Sequence, residues 1–424
     1  MTAMLCVLMF MVLFFLGVPV VLALYTPAVI YLLQEGFVID TIGTKVLYSL
    51  SSYTLVAVPL FILVGNMMSN AGVARRIFDF ADKMVGRLPG GLAQVNILAS
   101  LIFAGMSGSA LADVGGLGKI EVEEMKAKGF TPSFSAAVTV ASSTLGPIFP
   151  PSIPMLLFAS VASASPVLCL MAGMLPAVLC LILMGILTGI IAVKNHYPRR
   201  TERVPFQETW HSFLNAALAL VTPIMLIIGM LTGIFTPTEL SGFAVLCVVI
   251  ASFLYKDLNI TSIKAALTMS VETVASIMMI FPAAALYTMV LTLNRTPETF
   301  ARFMLGISND VNVLLLLINI MLLIVGMFMG NTEAILLLVP IIAPLMTRMG
   351  INIIHLSIVV VFNLMIGLIT PPFAMSIFLG ADVAGCSVKD LLRDIWPYFI
   401  PLILTLLLIT YVPWISMLIP NLIK

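Results

Sequence analysis

Apolar residues run along this chain in stretches far longer than the polar intervals between them. A helix needs about 20 consecutive apolar residues to cross a bilayer. Such runs cover 4–33 (with kinks expected at Pro19 and Pro27), 47–69, 131–164, 166–193, 216–235, 238–255, 271–293, 355–381 and 395–419. Gly and Pro interrupt two of them, 131–164 near 146–154 and 355–381 near 367–372. Two further stretches, 91–118 and 311–346, are split near the middle by Ser107-Gly108-Ser109 and Gly330-Asn331-Thr332. Both read as re-entrant hairpins, since irregular backbone survives at membrane depth only where protein or a water-filled cavity supplies hydrogen bonds. Residues 72–88 and 205–215 mix aromatic and charged positions at helical spacing. They read as interfacial helices, either an arm bracing one rigid body while another moves or an ordinary helix at the headgroups.

The pattern occurs twice. Shifting the chain by 221 residues, the step from Gly105 to Gly326, also lays Met106 on Met327, Met125 on Met346 and Gly129 on Gly350. The same shift lays Gly146 on Gly367, Ile148 on Ile369, Pro150-Pro151 on Pro371-Pro372 and Pro176 on Pro397. Gly and Pro fix backbone shape rather than fill space. Matched interruptions in two halves point to the binding site of a secondary transporter. Counting two spans, a hairpin, an interrupted span and a final span per repeat gives four crossings. The extra span at 216–235 then makes the second repeat start from the other side, so the repeats are inverted. The expected organisation is repeat one at 1–193, a connecting segment at 194–235 and repeat two at 236–424. The fold class is an all-α polytopic membrane protein with inverted structural repeats, two re-entrant hairpins and two interrupted helices.

Composition agrees: 61% of residues are hydrophobic and 9% charged, with a mean hydropathy of +1.17, outside the soluble range. A net charge of +1 suggests no nucleic-acid partner. The N-terminal apolar stretch is too long for a signal-peptide core and lacks a basic start, so it is expected to remain. On that count fifteen of the 20 Lys and Arg residues share the N-terminal side, and five (Lys45, Arg295, Arg302, Arg348, Lys424) lie opposite. The positive-inside rule then makes the N-terminus cytoplasmic. The five cysteines are scattered without a C-x-x-C pair and read as packing residues. The 28 methionines also read as packing, and Gly185-x-x-x-Gly189 as a weak signal for close helix packing.

Chemistry concentrates at the hairpin tips and the broken helices. Proline removes a donor and frees backbone carbonyls; with Ser, Thr and Asn oxygens these form an all-oxygen environment suited to a hard cation such as Na⁺. Restarted half-helices turn positive dipole ends toward an anionic substrate. One cation site per repeat with substrate between them is the expectation, against the plainer reading that Gly and Pro only kink packed helices. Asp113 and Glu333 are the carboxylates nearest the tips; each reads either as a functional group or as a cap on its hairpin arm. His196, His211 and His355 are read as lying in or near loops, which argues against a histidine proton relay. A channel would need a continuous polar lining, which is missing. No H-E-x-x-H motif, paired nucleophile and base, or P-loop is present, so neither an enzyme nor direct use of ATP is expected.

These residues resemble a known family. Ser107-Gly108-Ser109, the stretch Gly146-Pro147-Ile148-Phe149-Pro150-Pro151-Ser152, and Gly367-Leu368-Ile369-Thr370-Pro371-Pro372 are similar to the large membrane subunit of tripartite ATP-independent periplasmic (TRAP) transporters. The likeness covers essentially the whole chain. It implies a Na⁺-driven elevator importer of organic acids in the bacterial inner membrane. Its partners would be a small four-helix membrane subunit and a periplasmic substrate-binding protein. It further implies one Na⁺ around Ser107, Ala110, Gly146, Phe149 and Pro150 and a second around Gly326, Gly367 and Thr370. Substrate would lie near Ser109, Ser142, Ser143, Pro151 and Asn331, with Asp113 added to that set. Family substrates include C4-dicarboxylates, other carboxylic acids and sialic acids, and the reading leans toward sialic acid. A stand-alone ion-coupled anion symporter or antiporter is the alternative.

Overall fold

The structure is a computed structural model and describes residues 3–68, 71–255 and 260–423. Lys256 and Lys424, two of the loop charges counted above, lie outside them. Among the described residues there is helix and no strand. The first half runs α1 (Ala3–Phe15), α2 (Val20–Gln34), α3 (Ile39–Leu50), α4 (Ala57–Met68), α5 (Ala71–Val85), α6 (Leu92–Ser107), α7 (Ala110–Gly115), α8 (Leu117–Ala127), α9 (Pro132–Ser142), α10 (Ile153–Val161), α11 (Pro166–Ala172) and α12 (Met174–Lys194). The second runs α13 (Phe206–Leu231), α14 (Pro237–Leu254), α15 (Ile260–Leu293), α16 (Thr296–Ile307), α17 (Val311–Phe328), α18 (Asn331–Arg348), α19 (Ile353–Leu368), α20 (Met375–Ala384), α21 (Val388–Ile395), α22 (Phe399–Tyr411) and α23 (Pro413–Ile423).

Local chemistry sets these boundaries. Thr131 caps α9 by accepting from Phe134 N, with Pro132 opening the helix. Thr236 and Glu239 form a reciprocal capping box at the start of α14. The loops before α9 and α19 carry glycines in the left-handed region, Gly129 at φ +93° and Gly350 at φ +84°. The 221-residue shift superposes α5 on α16, α6 on α17, α7 and α8 on α18, α9 on α19, and α10 on α20. In the second half α15 is one helix of 34 residues, where its counterparts α3 and α4 bend by 59°.

Two expectations change. Residues 4–33 are not one kinked span. Cys6 Sγ lies 3.8 Å from the carbonyl oxygen of Pro27, whereas those residues would stand about 30 Å apart along a continuous helix. The chain reverses at Gly17 (φ +80°), so α1 and α2 lie antiparallel. At the same shift α1 falls on the C-terminal part of α13, so 216–235 is the first helix of repeat two, continuous with the amphipathic stretch at 205–215. Repeat one therefore spans α1–α12 and repeat two α13–α23. Inversion still holds, because α1, α2, α3 with α4, α9 with α10, and α11 with α12 make an odd number of passes. The orientation count changes, however. The reversal at Gly17 puts the arm α5 and its basic residues on the side opposite the N-terminus, not on the same side. Two smaller changes are that the first hairpin continues to Ala127, and that the final span breaks at Val412 between α22 and α23.

Helices α1–α4 and α13–α15 pack together as a frame; within it α1, α2, α3 and α15 enclose a separate core that includes Phe10, Leu24, Tyr31, Leu286 and Tyr287, whereas α4, α13 and α14 share the main core with the hairpins. The hairpins and broken helices form the other body. There α9 lies between α6 and α8, and α19 between α17 and α18. Each restarted helix crosses to the other repeat, α10 onto α18 and α19, α20 onto α7, α8 and α9. That crossing brings the two interruptions together in the middle of the body.

Candidate functional site

Each hairpin tip sits on the break of its own repeat. In the first, α6 ends at Gly108, whose φ of +59° is a left-handed conformation that glycine adopts without penalty. A Cβ at Gly108 would stand 2.5 Å from the Pro151 carbonyl oxygen, and one at Gly146 would lie 3.4 Å from the carbonyl carbon of Ser109. In the second, backbone meets backbone. A Cβ on Gly367 would stand 2.6 Å from Gly326 Cα, and the Phe373 N–H donates to Met327 O at 3.4 Å. The Pro150-Pro151 and Pro371-Pro372 bonds are both cis.

Uncommitted oxygens mark both contacts. Ser107 Oγ is buried without a hydrogen-bond partner, as are Asn331 Oδ1 and Asn363 Oδ1. Thr370 Oγ1 donates to Ile366 O at 2.6 Å, which leaves its lone pairs available. A buried acceptor that meets no protein donor has lost water's hydrogen bond without replacement; a hard cation would supply it. The donor set therefore fits Na⁺.

The structure brings most of the expected residues together. Gly105, Gly108 and Ser109 lie against Phe149, Pro151 and Gly146, with Ser107, Ala110 and Pro150 next to them in the chain; Gly326 lies against Gly367, with Thr370 less than a turn beyond. Ser109 Oγ accepts from Ala112 N and caps α7, its residue half-buried at the tip. Asn331 is half-buried, its amide 3.4 Å from Met365 Sδ. Three of the expected substrate residues sit elsewhere. Ser142 Oγ is fully buried and donates to Asn96 Oδ1 at 2.9 Å, and Ser143 Oγ donates to Val140 O at 2.8 Å. Both hydroxyls are spent inside the protein because the helix they end is surrounded on all sides. The Asp113 carboxyl lies in the hairpin interior beside Ser100 and Glu121, not with Ser109. A cavity of about 570 Å³ between frame and body, lined by Lys45, Ser160, Ser163, Thr288 and Thr292 among others, includes none of the expected substrate set.

The sequence reading also passed over residues. Asn363 Nδ2 donates to Asn319 O and Oδ1, and Asn319 Nδ2 to Thr410 Oγ1 at 3.0 Å. Asn363 is the counterpart of Ser142 at the 221-residue shift, so a polar residue matched in two apolar runs was a usable signal. His355 stands in the first turn of α19, close to the loop as expected. It is buried in α19 with Nδ1 2.7 Å from Ser416 Oγ. Gly65 of the frame packs on the first tip, where a Cβ would stand 2.9 Å from Ser107 Cα.

A family model described as tripartite ATP-independent periplasmic transporter, DctM component, matches residues 7–415. The chain is 35% identical over 415 residues to the sialic acid TRAP transporter large permease protein SiaM of Vibrio cholerae, with 97% of this chain and 96% of that protein covered. It is 32% identical to the C4-dicarboxylate TRAP transporter large permease protein DctM of Rhodobacter capsulatus, over 96% of each. It is also 32% identical to the isethionate TRAP transporter permease protein DctMQ of Oleidesulfovibrio alaskensis, over 95% of this chain and 64% of that protein. The crystal structure of the Alcanivorax borkumensis YdaH transporter, described as having an unusual topology, matches with a TM-score of 0.63 at 14% identity over 89% of both chains. At that identity the likeness concerns the fold.

Proposed function

Since the chain belongs to the DctM component of the tripartite ATP-independent periplasmic transporters, as the large permease of an organic acid transporter, we propose that it imports an organic acid anion by Na⁺ coupling and an elevator movement. The observation that carries this reading is the pair of tip-on-break contacts with their uncommitted oxygens. One Na⁺ is held around Ser107, Ala110, Gly146, Phe149 and Pro150, and a second around Gly326, Gly367 and Thr370. Substrate lies between them at Ser109, Pro151 and Asn331. The body of hairpins and broken helices moves against the frame, each inverted repeat gating one face. A ligand shifts such an equilibrium only by its differential affinity for the two states, so Na⁺ first orders the tips and substrate then binds the ordered site.

The named relatives handle a sialic acid, a C4-dicarboxylate and isethionate, all organic anions, and sialic acid is the first candidate. A periplasmic binding protein delivers the substrate and a small four-helix subunit stands beside the frame. The positive-inside rule keeps the arm and its basic residues in the cytoplasm. With the N-terminus opposite them, it faces the periplasm.

The test is reconstitution into proteoliposomes with a small subunit and a binding protein of this family, followed by uptake of labelled sialic acid and C4-dicarboxylates. Uptake should require both an inward Na⁺ gradient and the binding protein. Uptake by this chain alone would favour a stand-alone symporter, and uptake indifferent to Na⁺ would remove both cation sites.

A further inference from the structure

The first hairpin encloses two carboxyl groups that the transport reading does not use. Asp113 on α7 and Glu121 on α8 are both 0% exposed. None of their four oxygens meets a donor in good hydrogen-bonding geometry, and the two carboxyls are neighbours. Two bare carboxylates side by side in a dry interior carry a desolvation cost and a mutual repulsion that nothing local offsets.

Charged groups on the packed elements do not neutralise the pair. Helices α6 and α9 carry none. On α5, Arg75 reaches Glu124 at 4.0 Å, Arg76 stacks on the Tyr255 ring, Asp82 pairs with Arg200, Lys83 pairs with Glu208, and Asp79 is exposed. On α8, Lys126 donates to Ala384 O, and Lys119 and Glu123 are exposed, as is Asp382 on α20.

The uncharged neighbours form a hydrogen-bonded chain. Ser142 donates to Asn96 Oδ1 and shares a hydrogen bond with Ser100 at 2.9 Å. Asn96 Nδ2 donates to Thr139 Oγ1 at 2.7 Å. Ser100 stands beside Asp113 and Thr139 beside Glu121, so the chain sets one hydroxyl next to each carboxyl. Neither hydroxyl removes the repulsion between two carboxylates; one shared proton does.

The second repeat provides an internal control. The 221-residue shift lays Asn96 on Leu317, Ser100 on Met321, Asp113 on Ala334, Glu121 on Ile342 and Thr139 on Val360. Ala334, Ile342 and Val360 are fully buried. Only Ser142 has a polar counterpart, Asn363, which bonds to Asn319 instead, so the fold does not require a carboxyl pair at this position.

We propose that Asp113 and Glu121 form a proton-binding site that holds one proton between them, flanked by the hydrogen-bonded chain of Ser100, Ser142, Asn96 and Thr139. Ser142 ends the helix that breaks at Gly146, so the proton stands next to the first tip. The test uses the full chain in lipid nanodiscs, as wild type, as Asp113→Asn with Glu121→Gln, and as Asp113→Ala with Glu121→Ile, the residues of the second repeat. At neutral pH the infrared carbonyl stretch of a protonated carboxyl should be present in wild type and lost in both variants. The folded state binds a proton that the unfolded chain releases at neutral pH, so the wild-type melting temperature should fall as pH rises above neutral, and the variants should lose that slope. Absence of the band from wild type, or an unchanged alkaline slope in a variant that folds, would overturn the proposal. So would stabilisation of wild type but not the variants by Na⁺ or Ca²⁺ at fixed pH, which would make the pair a cation site.

Discussion

The two repeats share a plan and differ in how tightly they close it. In repeat one the break from Ser142 to Ser152 is buried apart from a half-buried Phe149, and a polar chain and two carboxyls back the tip. In repeat two the break ends in exposed Pro372 and Phe373, the Asn363–Asn319–Thr410 hydrogen bonds stand behind it without a carboxyl pair, and the tip meets the break through bare backbone. Identical placement of Gly and Pro thus specifies where the chain breaks. What lies around the break decides whether the break is held by side chains or by close backbone approach. The hypothesis is that repeat one is the sealed, preformed half and repeat two the half that opens.

The sharpest way to break this comparison is to add one methyl group at each matched glycine. A Cβ on Gly367 meets Gly326 Cα and C at 2.6 Å, and backbone cannot step aside. Gly367→Ala should lower stability by about 3 kcal/mol, the upper end for overpacking, and abolish uptake. A Cβ on Gly146 finds its nearest atom at 3.3 Å, so Gly146→Ala should cost about 1 kcal/mol. Denaturation of the two purified variants decides it; equal costs would mean that both contacts are made alike.

The tips sharpen it next. Ser107 Oγ meets no donor, so Ser107→Ala removes an unsatisfied group and should leave thermal stability unchanged or slightly raised. If that oxygen binds Na⁺, the Na⁺ concentration for half-maximal uptake should rise about tenfold, the effect of losing about 1.4 kcal/mol. A matched fall in stability with unaltered Na⁺ dependence would make Ser107 structural.

The helix restarts differ by a smaller amount. Ser152 caps α10, accepting from Met155 N at 3.1 Å and donating to Pro147 O. Its counterpart helix α20 starts at Ala374 with φ +34° and no side-chain cap. Ser152→Ala should cost about 1 kcal/mol. Ala374→Gly should gain about 1 kcal/mol, because glycine occupies the left-handed region without the Cβ penalty. Both shifts are measurable as melting temperatures, and a loss at Ala374→Gly would show that its conformation is not a source of instability.

How much of this was legible in the sequence follows from what each signal reports. Breaks and tips were readable because Gly108, Gly146, Gly367 and the Pro-Pro pairs act on their own backbone. The first helix pair was misread because α1 and α2 are uniformly apolar, and Gly17 alone carries the information that the chain reverses. The hairpin end was placed at Gly118 because Lys119 to Lys128 is dense in charge, which hid Glu121 inside it. Ser142 and Ser143 were assigned to substrate by the family resemblance; which way a hydroxyl turns depends on partners such as Asn96, 46 residues distant.

The arm α5 carries the smallest expected effect, and it is a matter of pH. Burial pushes the Asp79 carboxyl on α5 above its ordinary range, against the pull of Arg75. A carboxyl that holds its proton more tightly when folded contributes full stability at acid pH and loses it as pH rises through the window just above the ordinary carboxylate range. Asp79 is largely solvated, so screening reduces the effect to a few tenths of a kcal/mol. Asp79→Asn should therefore flatten the mildly acidic part of the stability profile without altering its neutral and alkaline part. An acid slope unchanged in Asp79→Asn would show that this carboxyl is not its source.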